Sequence, residues 1–154
     1  MVREKSAEGR EIGPPPECQN QERRERCASD LKGFCEAYFP QVFHLPWSKD
    51  HEKVLAKAER SILEGGLFAL AMPRGGGKTT ICERACLWAI LYGHRRFVVL
   101  IGADAGHATG MLDTIKAELE TNERLHEDFP KVTHPIRALE GINQRATGQV
   151  CQGQ

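Results

Sequence analysis

A glycine-rich loop placed between an apolar run and a helix constrains this chain more than any other feature. The run is Leu67-Phe68-Ala69-Leu70-Ala71-Met72, the loop is Pro73-Arg74-Gly75-Gly76-Gly77, and helical spacing follows from about Lys78 to Tyr92. Glycines admit backbone conformations that side chains resist. In such a loop they let N–H groups turn inward as an anion nest, and the helix N-terminus adds the positive end of its dipole. A lysine at the start of that helix reaches β- and γ-phosphate oxygens, and the hydroxyl beside it ligates Mg²⁺. Those roles fall on Lys78 and Thr79, with Pro73, Arg74, Gly75, Gly76, Gly77 and Thr80 completing the phosphate-binding set. The strict pattern G-x-x-x-x-G-K-[ST] has glycine where this chain has Met72, which leaves Gly75 and Gly76 to bend the loop. Arg74 is either a solvated loop arginine or a guanidinium beside the γ-phosphate, where fixed positive charge stabilises the transition state of phosphoryl transfer.

The flanking segments read as an alternation of helices and strands. Leu67–Met72 and the β-branched run Phe97-Val98-Val99-Leu100-Ile101 have the unbroken apolar character of strands buried on both faces. Leu31, Phe34, Cys35, Tyr38 and Phe39 recur at helical spacing before Pro40. Ser48 is a plausible N-cap for a second helix, with Asp50 and Glu52 in its first turn, an apolar face of Val54, Leu55, Ala58 and Ile62, and Gly65-Gly66 at its end. Ala108, Met111, Leu112, Ile115 and Leu119 form the stripe of another. Strand, loop, helix, strand, helix predicts an α/β fold with parallel strands behind a helical N-terminal segment. The expected organisation is a flexible charged tail over 1–30, a helical lead-in over 31–66, an α/β core over 67–140 and an irregular end over 141–154.

Composition narrows the partners. The chain has 154 residues, with Lys+Arg and Asp+Glu at 21 each, so no global field draws it to nucleic acid. A local patch or a ring of subunits could supply one. No apolar run approaches the roughly 18 residues of a membrane span, and the N-terminus has no signal-peptide core. The six cysteines (Cys18, Cys27, Cys35, Cys82, Cys86, Cys151) are scattered and contain no C-x-x-C, which predicts reduced thiols. Cys82 and Cys86 share a helix face and read as buried thiols rather than half of a zinc site. His44, His94, His107, His126 and His134 have no metal-binding spacing, and Asp113, Glu118, Glu120 and Glu123 read as a solvated helix face.

Met72-Pro73-Arg74-Gly75-Gly76-Gly77-Lys78-Thr79-Thr80 resembles the Walker A loop of the large terminase subunits of tailed bacteriophages. Those loops often lack the first glycine and carry an arginine four residues before the lysine, where Arg74 stands. Leu45-Pro46-Trp47-Ser48-Lys49-Asp50-His51 resembles the family's adenine-recognition segment, and Leu87-Trp88-Ala89 and Phe97 to Ala103 resemble its next helix and strand. The resemblance runs from about Phe34 to Gly148.

It implies a partial P-loop NTPase unit of the RecA/ASCE kind, with three layers and parallel strands, using ATP and Mg²⁺. Arg74 and Lys78 would be catalytic and Thr79 the Mg²⁺ ligand. His51 stands where many relatives place an adenine-reading glutamine, or is a helix N-terminal histidine facing solvent. Trp47 either stacks on adenine or fills the gap under the helix. The implied whole is a viral DNA-packaging motor in the bacterial host cytoplasm, an ATPase followed by an RNase H-like nuclease. Its partners would be double-stranded viral DNA, the portal protein and the small terminase subunit, with a ring oligomer forming in the full-length protein. A Walker B strand ending in Asp-Glu is missing; Asp104, just beyond Phe97–Ile101 and without a following glutamate, is the nearest candidate. The chain therefore reads as the ATP-binding front of a terminase. A generic P-loop NTPase or kinase fragment, and a non-catalytic nucleotide-binding prophage remnant, are the competing readings.

Overall fold

The structure, a computed structural model, describes residues 12–138. Residues 1–11 of the expected tail, and 139–154 with the whole expected irregular end and Cys151, lie outside the described residues. Within them the chain forms helices α1 Gln21–Arg26, α2 Leu31–Tyr38, α3 Lys49–Glu64, α4 Lys78–Leu91, α5 Ala105–Thr121, α6 Glu123–Asp128 and α7 Pro130–Ala138. None of them is long and apolar enough to cross a membrane.

The expected α/β architecture is not what forms: no strand is present among the described residues. The partial three-layer P-loop unit is replaced by a helical bundle. Leu67–Met72 and Phe97–Ile101 run outside any helix or ladder, and they are not buried on both faces. Leu70, Met72 and Leu100 pack on the bundle, while Leu67, Phe97, Val99 and Ile101 face outward. The physical reason lies in where backbone hydrogen bonds come from. A helix closes its own N–H···O=C ladder, whereas an extended segment needs a neighbour. An apolar run supplies side chains for a sheet and no guarantee of a partner strand.

The helices follow their apolar periodicity closely. Every apolar position of the α2 stripe is buried, from Leu31 to Phe39, and Val54, Leu55 and Ala58 of α3 are buried with them. Ser48 caps α3, its hydroxyl accepting from the His51 N–H, and Asp104 caps α5 by accepting from the His107 N–H at 2.8 Å. The Asp104 carboxylate is thus a helix cap, not the end of a metal-binding strand. Central α4 packs against α2, α3 and α5; accordingly its buried residues surround it, from Ile81 through Leu87 and Trp88 to Leu91.

Charged groups are drawn into this core in pairs. Asp128 is fully buried and accepts from Arg23 (2.6 and 2.9 Å) and from the Tyr38 hydroxyl (2.6 Å). Arg23 also reaches Glu127, so α1, which carries the charged residues Glu22 to Arg26, is fastened to α6. This buried carboxylate raises the Arg23 pKa, and burial together with the Asp128 contact raises that of Tyr38. At the far end of α4, Trp88 Nε1, Tyr92 Oη and His94 Nε2 meet the carbonyls of Cys27, Arg24 and Ala28. Those carbonyls at and after the end of α1 lack helical partners, and these side chains satisfy them. Glu118, expected on a solvated face, instead pairs with buried Arg84 at 2.7 Å, and Glu83 holds the same guanidinium at 2.9 Å. Burial pushes the Glu83 carboxyl above its ordinary range.

Candidate phosphate-binding site

The loop takes its shape from its glycines. Pro73 O accepts from the Gly76 N–H at 3.2 Å, closing a turn in which Gly75 has φ +78°. Positive φ at the third residue of a turn is the position glycine fills without strain. Gly77 follows at φ +71° and is the N-cap of α4, with no side-chain cap bond. The first N–H groups of α4 therefore have neither an intrahelical nor a capping partner and point along the dipole toward the loop. Gly76 is held tightly, since a Cβ there would come within 3.1 Å of Pro73 O and 3.3 Å of the Met72 side chain.

Each residue expected at the site has a definite place. Lys78 opens α4, and its Nζ folds back over the loop to donate to the Met72 carbonyl. Thr79 is exposed at the same helix end and Thr80 half-buried behind it. Pro73 and Arg74 are exposed at the tip. His51 comes from the first turn of α3, and its Nε2 lies 3.1 Å from the Gly76 carbonyl. Trp47 is less available: it stacks on Phe43 at 4.9 Å, meets His51 edge-on at 5.9 Å, and donates its Nε1–H to Glu36 at 2.7 Å. The structure thus brings the loop, Lys78 and His51 together, and turns Trp47 toward its own neighbours.

A cleft of about 360 Å³ opens beside the loop, between the first half of α3 and residues 68–73. Its polar lining includes Ser48, Asp50, His51, Lys53 and Lys57, and Gly76 of the loop also lines it. That volume lies within the range of small-molecule sites. Two features here escaped the sequence reading. One is the Met72 carbonyl as the resting partner of Lys78, for which no signal exists. The other is the reciprocal cap of Ser48 and His51, which the spacing S-x-x-H could have announced, since the third helical residue of a capping box reaches back to its N-cap.

Burial disfavours the thiolate form of the cysteines in and beside α4. Burial pushes Cys86 up to about 11 and Cys35 up to about 12. Cys82, expected to be buried, is exposed. Among the described residues, no group of three or more His, Cys, Asp or Glu side chains could hold a metal ion. Comparison with protein-family profiles, with curated proteins and with solved structures found no match in any of the three.

Proposed function

We propose that the chain binds the phosphates of ATP at Gly75–Thr80, as the nucleotide-binding part of a DNA-packaging ATPase of the terminase large-subunit kind. The observation that carries this reading is the loop itself. Two positive-φ glycines lead into an uncapped helix N-terminus, and Lys78 stands at the first position of that helix. This is the arrangement that an anion needs: oriented backbone donors, a dipole end and one mobile cation. The Lys78 ammonium rests on a carbonyl that a phosphate oxygen, as a charged acceptor, would outcompete.

The residues suit a triphosphate and its ion unequally. The nest supplies N–H donors to phosphate oxygens. For Mg²⁺ the protein would contribute the Thr79 hydroxyl, with phosphate oxygens and waters as the further ligands that this ion usually keeps. Bound Mg²⁺ would supply charge neutralisation between the β- and γ-phosphates. Arg74 at the exposed tip is free to swing onto a γ-phosphate. Viral DNA, a portal, a small terminase subunit and a ring of copies are the partners this reading carries with it.

A second reading, binding without turnover, is favoured by one observation. Asp104, the nearest candidate for ordering Mg²⁺ and the attacking water, is used as the cap of α5. The test for the first reading is thermal melting with and without ATP–Mg²⁺. Ligand binding raises the melting temperature by mass action, and Lys78→Ala should abolish most of that rise. An equal rise in both proteins would remove Lys78 from the site. Phosphate release above the Lys78→Ala control would exclude the second reading.

A further inference from the structure

His51 joins the first turn of α3 to the glycine loop that opens α4. Its Nδ1 accepts the Ser48 N–H at 3.3 Å and lies 2.9 Å from Ser48 Oγ. Its Nε2 lies 3.1 Å from Gly76 O. A backbone N–H only donates and a carbonyl only accepts, so the contacts select one tautomer: a lone pair on Nδ1 and the proton on Nε2. Both ring nitrogens are then engaged within the protein. The Trp47 ring braces the imidazole edge-on, and Trp47 is itself fixed by Glu36 and Phe43.

The consequence for the loop follows from peptide geometry. In a planar trans peptide the C=O of one residue and the N–H of the next point in opposite directions. Drawing the Gly76 carbonyl toward His51 therefore aims the Gly77 N–H away from α3. With glycine on both sides, that peptide has no flanking Cβ to hold it against a flip. We propose that His51 is a positioning residue: it latches the Gly76–Gly77 peptide so that the Gly77 N–H faces a bound phosphate. The proposal rests on the phosphate-binding reading and replaces base recognition as the task of His51.

Three variants of the full chain separate the latch from the helix cap. His51→Glu keeps the cap acceptor that capping boxes use and has no proton to give Gly76 at neutral pH. His51→Gln offers an acceptor and a donor, and His51→Ala offers neither. The first readout needs no nucleotide: the rate at which trypsin cuts after Arg74 in the free protein, alongside the melting temperature. His51→Glu should melt above His51→Ala, which loses the cap as well, yet be cut about tenfold faster than wild type, the fold-change equivalent to one net hydrogen bond. The second readout is ATP–Mg²⁺ affinity, taken on uncharged variants because a carboxylate would itself repel phosphate. His51→Ala should bind about tenfold more weakly, and His51→Gln should recover most of the loss. Wild-type cleavage of His51→Glu, or ATP binding by wild type that His51→Ala matches in affinity, overturns the latch. If wild type binds no ATP while His51→Glu is still cut faster, the phosphate-binding reading fails and the latch on the loop stands.

Discussion

Trp88 and Ile101 are both large apolar side chains in segments that look fit for burial, and they meet opposite fates. Trp88 is completely sealed in the bundle, whereas Ile101 is 88% exposed. The difference is one of backbone, not of side-chain hydrophobicity. Trp88 sits on a helix that satisfies its own polar groups, so the whole segment enters the core with only its indole N–H to place, and Cys27 O takes that. Ile101 sits on extended chain whose N–H and C=O groups need another strand or water. It stays where water reaches it. Stability in the described residues thus resides in α1–α7, and the phosphate loop hangs from the less secured side, between one such extended segment and α4.

The largest expected effect lies in the helical region. Asp128→Ala removes the buried acceptor of Arg23 and Tyr38 and leaves Arg23 only Glu127, and breaking a buried pair costs at most about 3–5 kcal/mol. On a domain whose total is on the order of 5–15 kcal/mol, the urea midpoint should fall sharply or the protein should not fold. Replacing Asp128 with Asn keeps the shape and some acceptor capacity and should recover part of the loss. A midpoint unmoved by Asp128→Ala would break the contrast, because it would mean that the buried carboxylate at the α1–α6 contact carries no stability.

A smaller effect concerns acid. His126, half-buried between α6 and α7, contacts the Thr133 hydroxyl at 3.0 Å and stacks on His134 at 6.5 Å. Burial, assisted by Arg137, lowers its pKa below the ordinary 6.5. A base with a depressed folded pKa is more readily protonated when unfolded. Its stability contribution is therefore full above pH 6.5 and is lost as pH falls through the folded value. Wild type should lose stability between pH 7 and pH 5, and His126→Gln should show a shallower loss over the same interval. Identical slopes would show that His126 does not sense folding.

The helical half was legible in the sequence because its signals are local. The stripe Leu31, Phe34, Cys35, Tyr38, the cap Ser48 and the apolar face of α3 each depend on residues within a few positions, and all appear where expected. Helices α6 and α7 were missed because α6 is short and charged and α7 is short and carries Pro135 inside it, and Glu118 was misplaced because its partner Arg84 comes from another helix. The two apolar runs misled for the opposite reason. Whether Leu67–Met72 becomes a strand is decided by a neighbour, and no local pattern reports a neighbour. Of the site, the glycines and Lys78 could be read directly. The His51–Gly76 contact could not, since it spans 25 residues and depends on how α3 packs.

The smallest expected effect is the most telling for the contrast. If Ile101 is as open to water as its exposure indicates, Ile101→Thr removes little buried surface and keeps the β-branched shape that suits extended backbone. Surface changes of this sort stay within about 0.5 kcal/mol, so the urea midpoint should barely move. Leu100, its neighbour, packs on the core, and Leu100→Thr should cost visibly more, because it removes apolar contact and leaves a hydroxyl against the bundle. The pair tests side-by-side residues of one segment with opposite orientations. Equal, large losses would mean that Ile101 is buried in solution and that the segment has found the partner it lacks among the described residues. Equal, negligible losses would mean that Leu100 does not hold the segment to the bundle. Only an unequal pair keeps the picture of an extended segment resting on the helices by one face.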